Sequence, residues 1–279
     1  MKPSVSLSLF PGSPTAPILF RGNLEQSVPT IAGLGYEGVD LFVGDENGSL
    51  ARKALRLLRS NGLGVGVVMP AALAGKGLFL GDRNPDIRDA AVKRLYGFVS
   101  FAAEAGGMVS LGLVRGSLLP GDTLPEFEKR FADSVMRLLP HATELGVPLV
   151  IEPINRYEIN TMCSSLEALS FIERFSLPVG LMLDTFHMNI EDVSLPASLR
   201  VCARYVRHVH FVDSNRLAPG MGHLDMRFLL KTLKEIGYDG YLCLEALDRP
   251  DGLTVARKGM EFFHGVQDIL RGKDSGAGK

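Results

Sequence analysis

Four ionisable residues each end a short apolar run of the sequence, and this placement is the first indication of chemistry in the chain. The residues follow one another at intervals of about 26 to 35 positions and are Glu152, Asp184, His210 and Glu245. That interval corresponds to one unit of strand, loop, helix and loop. Because the carboxyl ends of parallel strands meet at one mouth of a barrel, we expect the four side chains to converge there.

Three carboxylates beside one imidazole in a partly dry site would repel one another unless a divalent cation neutralised them. One nitrogen and three hard oxygens suit Mn²⁺, Mg²⁺ or Co²⁺, and Zn²⁺ also binds such sites. The alternative is that each acidic residue caps a helix beyond its own strand, which explains any one of them better than the set. The set therefore predicts one divalent-metal site. We expect His210 to face the mouth, and His208 to lie on the other side of the strand, in packing or behind the ligands.

The elements that must position these residues alternate regularly along the chain. Helical patterns repeatedly end in glycine and are followed by a short β-branched run, as expected where a helix leads into a strand. The predicted strands are Val5–Phe10, Gly38–Phe42, Gly64–Met69, Met108–Val114, Leu149–Glu152, Val179–Asp184, Val206–Val212 and Tyr241–Glu245.

Eight strands that alternate with eight helical stretches predict an α/β fold, a (β/α)8 TIM barrel, as a single domain over residues 1–271. An open doubly wound sheet is the alternative. It is disfavoured because no G-x-G-x-x-G turn follows the first strand. We expect residues 272–279 to form a disordered tail, since they carry nothing that could pack.

Composition narrows the class of function. Lys and Arg number 30 against 31 Asp and Glu, a net charge of -1, so no basic field favours nucleic acid as a partner. The apolar runs are far shorter than the ~20 residues that span a bilayer, which excludes a membrane protein. The first residues alternate like a strand rather than a signal peptide, and the three cysteines form no C-x-x-C pair. We therefore expect a cytoplasmic protein.

Four sequence segments resemble a known family, and the resemblance extends over about residues 147 to 247. The segments are Ile151–Glu158, Leu183–Glu191, His208–Arg216 and Pro219–His223. They resemble the ketose 3-epimerases, such as the tagatose and psicose 3-epimerases, of the sugar isomerase/epimerase family with xylose-isomerase-like barrels. The resemblance implies a homodimer or homotetramer and one divalent ion, usually Mn²⁺, on the four strand-end residues. It also implies that substrate oxygens contact Glu158, His187 and Arg216.

The implied reaction is the 3-epimerisation of a ketose. A divalent ion would act as a Lewis acid on the enediolate that forms when the C3 proton leaves the sugar. Inversion needs two bases on opposite faces of that carbon. Glu152 and Glu245, which enter from the fifth and eighth predicted strands, are the candidates for this catalytic pair.

Arg115 suggests a substrate class. The segment Gly112–Gly116 at the end of the fourth predicted strand, together with Asp213–Arg216, looks more like the branch that epimerises keto sugar acids such as 5-keto-gluconate. A guanidinium at a strand end suits bidentate recognition of a carboxylate. We therefore expect Arg115 to bind an anionic substrate tail, and a pair with Asp122 or another loop acid is the alternative.

Three rival functions use related architecture. An aldose–ketose isomerase, similar to hydroxypyruvate isomerase, would use almost the same metal ligands and move the proton between C2 and C1. A metal-dependent nuclease would need several metal ions and a basic groove, which this composition does not offer. A non-catalytic sugar-binding module would have no need of four converging metal ligands.

Overall fold

The computed structural model describes residues 1–13 and 15–270 of the 279-residue chain. Within these residues, parallel strands follow one another around a single sheet in the order β2-β1-β3-β4-β5-β6-β7-β8-β9, and β1 also pairs with β9. This last pairing closes the sheet and confirms the predicted TIM barrel. The strands are β1 (Lys2–Ser8), β2 (Phe20–Arg21), β3 (Gly38–Phe42), β4 (Gly64–Met69), β5 (Met108–Ser110), β6 (Leu149–Ile151), β7 (Gly180–Asp184), β8 (Val206–His210) and β9 (Tyr241–Leu244).

Helices surround the barrel, and several begin at caps that the sequence supplies. Asn84 accepts a hydrogen bond from the backbone N–H of Asp86, and Ser164 accepts one from Glu167. The helices are α1 (Leu24–Leu34), α2 (Ser49–Ser60), α3 (Pro85–Ala105), α4 (Leu124–Glu144), α5 (Ser165–Arg174), α6 (Thr185–Glu191), α7 (Leu195–Val201), α8 (Met226–Glu235), α9 (Gly252–Gly265) and α10 (Gln267–Leu270). The predicted tail, residues 272–279, lies outside the described residues.

Two connections matter for the site, and the first differs from the sequence prediction. The fourth predicted strand, Met108–Val114, ends at Ser110, and Leu113–Arg115 forms a 3₁₀ turn. Gly116, with φ 84°, closes this turn in a backbone region that favours glycine. Helix α6 begins directly after β7, so His187 lies on the first turn of a helix.

The core lies between the barrel and its helices, and the barrel interior is filled by side chains. A separate apolar cluster inside the upper barrel comprises Ile18, Phe42, Val67, Met69, Val150 and Met182. The carboxyl ends of the strands form one mouth, where the four strand-end ionisable residues lie. Among the described residues, every helix is too short or too polar to span a membrane.

Candidate active site

The structure brings the four strand-end residues together at the mouth of the barrel. Glu152 follows β6, Asp184 ends β7, His210 ends β8 and Glu245 follows β9. One ligand atom of each lies within 4.8 Å of all the others. The Nδ1 atom of His210 lies 3.3 Å from Glu152 Oε1, 3.6 Å from Asp184 Oδ2 and 3.6 Å from Glu245 Oε2.

The donor atoms of this cluster fit a divalent cation. Asp184 caps helix α6 with Oδ1, which accepts a hydrogen bond from Phe186 N at 2.7 Å. Its Oδ2 atom and His210 Nδ1 are buried and have no hydrogen-bond partner among the described residues. Leaving such atoms unpaired typically costs about 1–3 kcal/mol each. A cation held by carboxylate oxygens and one imidazole nitrogen would satisfy both, so the cluster can hold a metal ion.

Burial and mutual proximity perturb the ionisation of these residues. Burial is the main cause that raises the pKa of Glu245 to about 8, and the neighbouring Glu152 carboxylate adds to it. Burial would lower the pKa of His210, but the surrounding carboxylates, Glu245 first, outweigh it and hold the pKa well above its usual value. Without an ion, the cluster therefore retains protons that a bound cation would displace.

Asp40 is a site residue that the sequence analysis missed. It lies within β3, and its Oδ2 atom is 2.6 Å from His208 Nε2 and 3.0 Å from His210 Nε2. Burial would raise the pKa of Asp40, but the contacts with both imidazoles outweigh it and lower that pKa. A carboxylate at His210 Nε2 holds the proton on that nitrogen and leaves the Nδ1 lone pair for a metal.

The expectation that His208 and His210 face opposite sides of their strand is wrong. Residues two apart on a strand point to the same side, and both imidazoles therefore reach Asp40 inside the barrel. An acidic residue within the otherwise apolar run Gly38–Phe42 was the available signal, because a carboxylate inside a barrel needs a partner.

Arg216 links Glu158 to the four-residue cluster. Its Nη2 atom donates to Glu245 Oε2 at 2.8 Å, and its Nη1 atom donates to Glu158 Oε1 at 2.9 Å. Its backbone adopts φ 59°, a conformation rare for a residue with a side chain. The backbone N–H donates to Asp213 O and the carbonyl accepts from Leu247 N, and these bonds hold the residue in that conformation.

His187 and Arg216 present two donors to the same space. Asn155 Nδ2 lies 3.0 Å from Glu158 Oε1, a carboxylate acceptor, and 2.7 Å from His187 Nδ1. The amide thus donates to Nδ1, which leaves the ring proton on Nε2. Burial lowers the pKa of His187, so the ring is neutral near pH 7. His187 Nε2 lies 3.5 Å from Arg216 Nη2, and two donors that face each other offer a place for an oxygen acceptor.

Arg115 does not occupy the predicted position, and the expectation that it binds an anionic substrate tail is wrong. Its side chain is 0% exposed, and its guanidinium donates to backbone carbonyls of Gly112, Glu152 and Thr161 at 2.9, 2.7 and 2.8 Å. The proposed alternative partner Asp122 is instead paired with arginines 83 and 130. Arg115 therefore fixes the loops beneath the mouth, and its donors are not available to a substrate carboxylate.

A cavity of about 370 Å³ opens above the cluster. Its volume lies in the range of ~300–1,000 Å³ typical of small-molecule sites. Five of the predicted site residues line it, and Arg115 is not among the described residues that do. The five are Glu152, Glu158, His187, Arg216 and Glu245.

The chain has sequence relatives that are named as sugar epimerases. The ketose 3-epimerase of Arthrobacter globiformis is 36% identical over 114 residues, which cover 40% of this chain and 39% of that protein. The L-ribulose 3-epimerase of Methylomonas sp. is 31% identical over 144 residues, 50% of each chain. These matches thus span half or less of the relatives' length. The 3-dehydro-D-guloside 4-epimerase of Escherichia coli is 26% identical over 241 residues, 83% of this chain and 90% of that one.

Solved structures share the fold along the chain. A structure of L-ribulose 3-epimerase superposes with a TM-score of 0.81 at 21% identity and covers 100% of this chain and 98% of its own. The family model described as xylose isomerase-like TIM barrel matches residues 28–265. With that match over most of its length, the chain belongs to the xylose isomerase-like TIM barrel family.

Proposed function

We propose that the protein is a metal-dependent isomerase that inverts C3 of a ketose, with Mn²⁺ as the first choice of ion and Mg²⁺, Co²⁺ or Zn²⁺ as alternatives. The observation that carries the proposal is the cluster itself. Glu152 and Glu245 line one cavity from β6 and β9, next to the unpaired atoms of Asp184 and His210. Relatives named ketose and L-ribulose 3-epimerase support the same reaction class.

Glu152 and Glu245 act as the two bases of the inversion. One carboxylate removes the C3 proton from one face of the sugar, and the other returns a proton to the opposite face. Without an ion, burial raises the pKa of Glu245 to about 8. A bound cation would lower that pKa again and leave the carboxylate ionised and able to accept a proton. A divalent ion bound by Glu152, Asp184, His210 and Glu245 would supply Lewis acidity toward the carbonyl and the neighbouring hydroxyl of the ketose.

His187 and Arg216 orient the substrate. Their facing N–H groups, 3.5 Å apart, can both donate to a sugar oxygen that gains negative charge when the proton leaves. Glu158, whose side chain is 39% exposed, accepts from Arg216 and can accept from a sugar hydroxyl. Fixed donors of this kind stabilise the charge without reorganising during the reaction.

Proton NMR in D₂O tests the proposal and separates it from the isomerase alternative. The Mn²⁺-loaded protein is incubated with a panel of ketoses and keto acids. Epimerisation places solvent deuterium at C3, whereas an aldose–ketose isomerase places it at C1. Deuterium at C1 would overturn the proposal in favour of the isomerase.

Removal of the ion and of each base completes the test. Exhaustive chelation should abolish turnover and lower the melting temperature, since a ligand bound only by the folded state stabilises it. Glu152→Gln and Glu245→Gln should each lose at least about 10²-fold in rate with the fold intact. Full activity in a chain shown by metal analysis to be metal-free would contradict the proposed cofactor. The cytoplasmic location and the homodimer or homotetramer stay predictions.

A further inference from the structure

The cavity has two unlike walls. The wall built by residues after β6, β7, β8 and β9 carries the carboxylates, the imidazole of His187 and the guanidinium of Arg216. The opposite wall is apolar, and it is built by the last residues of β3 and β4 and by the segments that follow β1, β4 and β5. We call it the apolar wall, and its larger side chains are Phe10, Ile18, Phe42, Met69 and Leu113.

The apolar wall offers few hydrogen-bonding side chains. Among its described residues, the polar side chains are the hydroxyls of Ser13 and Ser110. The Ser110 hydroxyl already accepts a bond from Gly112 N at 3.2 Å. Ile18, Phe42 and Met69 belong to the buried apolar cluster of the upper barrel, so this surface continues the core. Hydroxyl groups placed against it would lose water without gaining side-chain partners.

The described lining of the cavity also offers no cationic side chain without an acidic partner. Arg216, the guanidinium among the described lining residues, is already bonded to Glu158 and Glu245. The guanidinium of Arg115 is bonded to backbone carbonyls beneath the mouth. A carboxylate on the distal end of a substrate would therefore be buried against the apolar wall without a counter-charge.

We propose that the distal carbon of the substrate is apolar, and that a neutral deoxy ketose with a terminal methyl group is preferred over a polyhydroxylated ketose or a keto sugar acid. This inference rests on the proposed 3-epimerase function. The reacting carbons lie at the polar wall, because the two bases are there, and the rest of the sugar then extends toward the apolar wall. Specificity thus resides in the carboxyl ends of β3 and β4 and in the segments after β1, β4 and β5.

Three substrates matched from C1 to C5 give the test: a 2-ketohexose, its 6-deoxy analogue and its 6-carboxylate. kcat/KM for epimerisation is measured with Mn²⁺ present. The 6-deoxy sugar should exceed the parent by about 10- to 100-fold, the range expected when a hydroxyl is buried without a partner. The 6-carboxylate should fall below the parent by at least a further ~10-fold, because an unpaired charge costs more.

The outcomes separate this inference from the proposed function. Epimerisation of all three substrates with the parent or the acid preferred would overturn the apolar-tail inference and leave the 3-epimerase intact. Failure of every ketose to exchange its C3 proton would overturn the proposed function, and the inference with it.

A pair of leucine variants checks that the apolar wall is the cause. Leu113 lies on the wall and is 40% exposed, while Leu119 is 47% exposed and lies outside the described lining. Leu113→Asn should reduce the preference for the 6-deoxy sugar by about 5- to 10-fold, since the amide can pair with the C6 hydroxyl. Leu119→Asn should keep the wild-type ratio. If both variants show the same ratio of kcat/KM for the 6-deoxy sugar to kcat/KM for the parent, the apolar wall does not contact the substrate tail and the inference is wrong.

Discussion

Replacing Asp40 with Asn should weaken divalent-metal binding although Asp40 is not a proposed ligand. Its Oδ2 atom contacts His208 Nε2 at 2.6 Å and His210 Nε2 at 3.0 Å. An amide of the same shape has one acceptor and carries no charge, so it cannot replace both contacts. If its NH₂ group faces His210, the ring proton moves to Nδ1, the atom that the ion would need.

The expected loss follows from these contacts. Partners that orient a metal-binding histidine typically contribute 10- to 100-fold in affinity, which corresponds to about 1.4–2.7 kcal/mol. We expect a loss in that range for Asp40→Asn. Binding is measured by calorimetric titration of Mn²⁺ into chelated, dialysed protein, and melting temperature is followed with and without excess Mn²⁺.

A matched variant separates this role from general stabilisation. Glu46 is a buried carboxylate that forms a two-point ion pair with Arg94. Glu46→Gln should lower the melting temperature and leave the Kd for Mn²⁺ unchanged. If Asp40→Asn likewise lowers only the melting temperature and keeps the wild-type Kd, the positioning role of Asp40 is refuted.

Three further predictions follow from buried polar groups. Folded Glu245 keeps its proton up to a pKa of about 8, while the unfolded chain loses it near 4.5, so the stability of the metal-free protein should fall as pH rises from about 5 to 8. Urea unfolding in chelator should show this slope, and Glu245→Gln should flatten it. Arg115→Met should destabilise the fold by at least about 3 kcal/mol, because several buried carbonyls would lose their hydrogen-bond donor. A melting temperature within about 2 °C of wild type would contradict this. Asn155→Leu should lower kcat/KM about tenfold, because the His187 ring would no longer be held with its proton on Nε2. The affinity for Mn²⁺ should stay unchanged and serves as the control.

The barrel could be predicted because its signals are local and repeated. Gly38–Phe42 and Gly64–Met69 have their predicted bounds, as apolar β-branched runs flanked by glycine or a turn define both ends of a strand. The fourth strand was predicted too long. In Met108–Val114 the apolar run continues past the last ladder bond, and composition cannot show where the backbone turns away.

The converging cluster could be predicted for a related reason. In a parallel barrel the carboxyl ends of all strands lie at the same mouth. The spacing of Glu152, Asp184 and Glu245 was therefore enough to predict that they come together. The positions of Asp40 and Asn155 depend on contacts between side chains far apart in the sequence, such as that of Asp40 with His208. The spacing of residues along the chain does not indicate such contacts, so the roles of Asp40 and Asn155 were not predicted.

The position of Arg115 in the structure removes the basis for predicting an acidic substrate. As a strand-end cation it would have favoured an acidic sugar. In the structure the same guanidinium holds the carbonyl of Glu152 at 2.7 Å and that of Thr161 at 2.8 Å, which fixes the backbone of a proposed base and the loop behind it. Its charge is therefore directed away from the cavity, and the wall that we propose to face the substrate tail consists of Phe42, Met69 and other apolar side chains. The contact that positions a proposed base thus also removes the cation on which recognition of a sugar acid would depend.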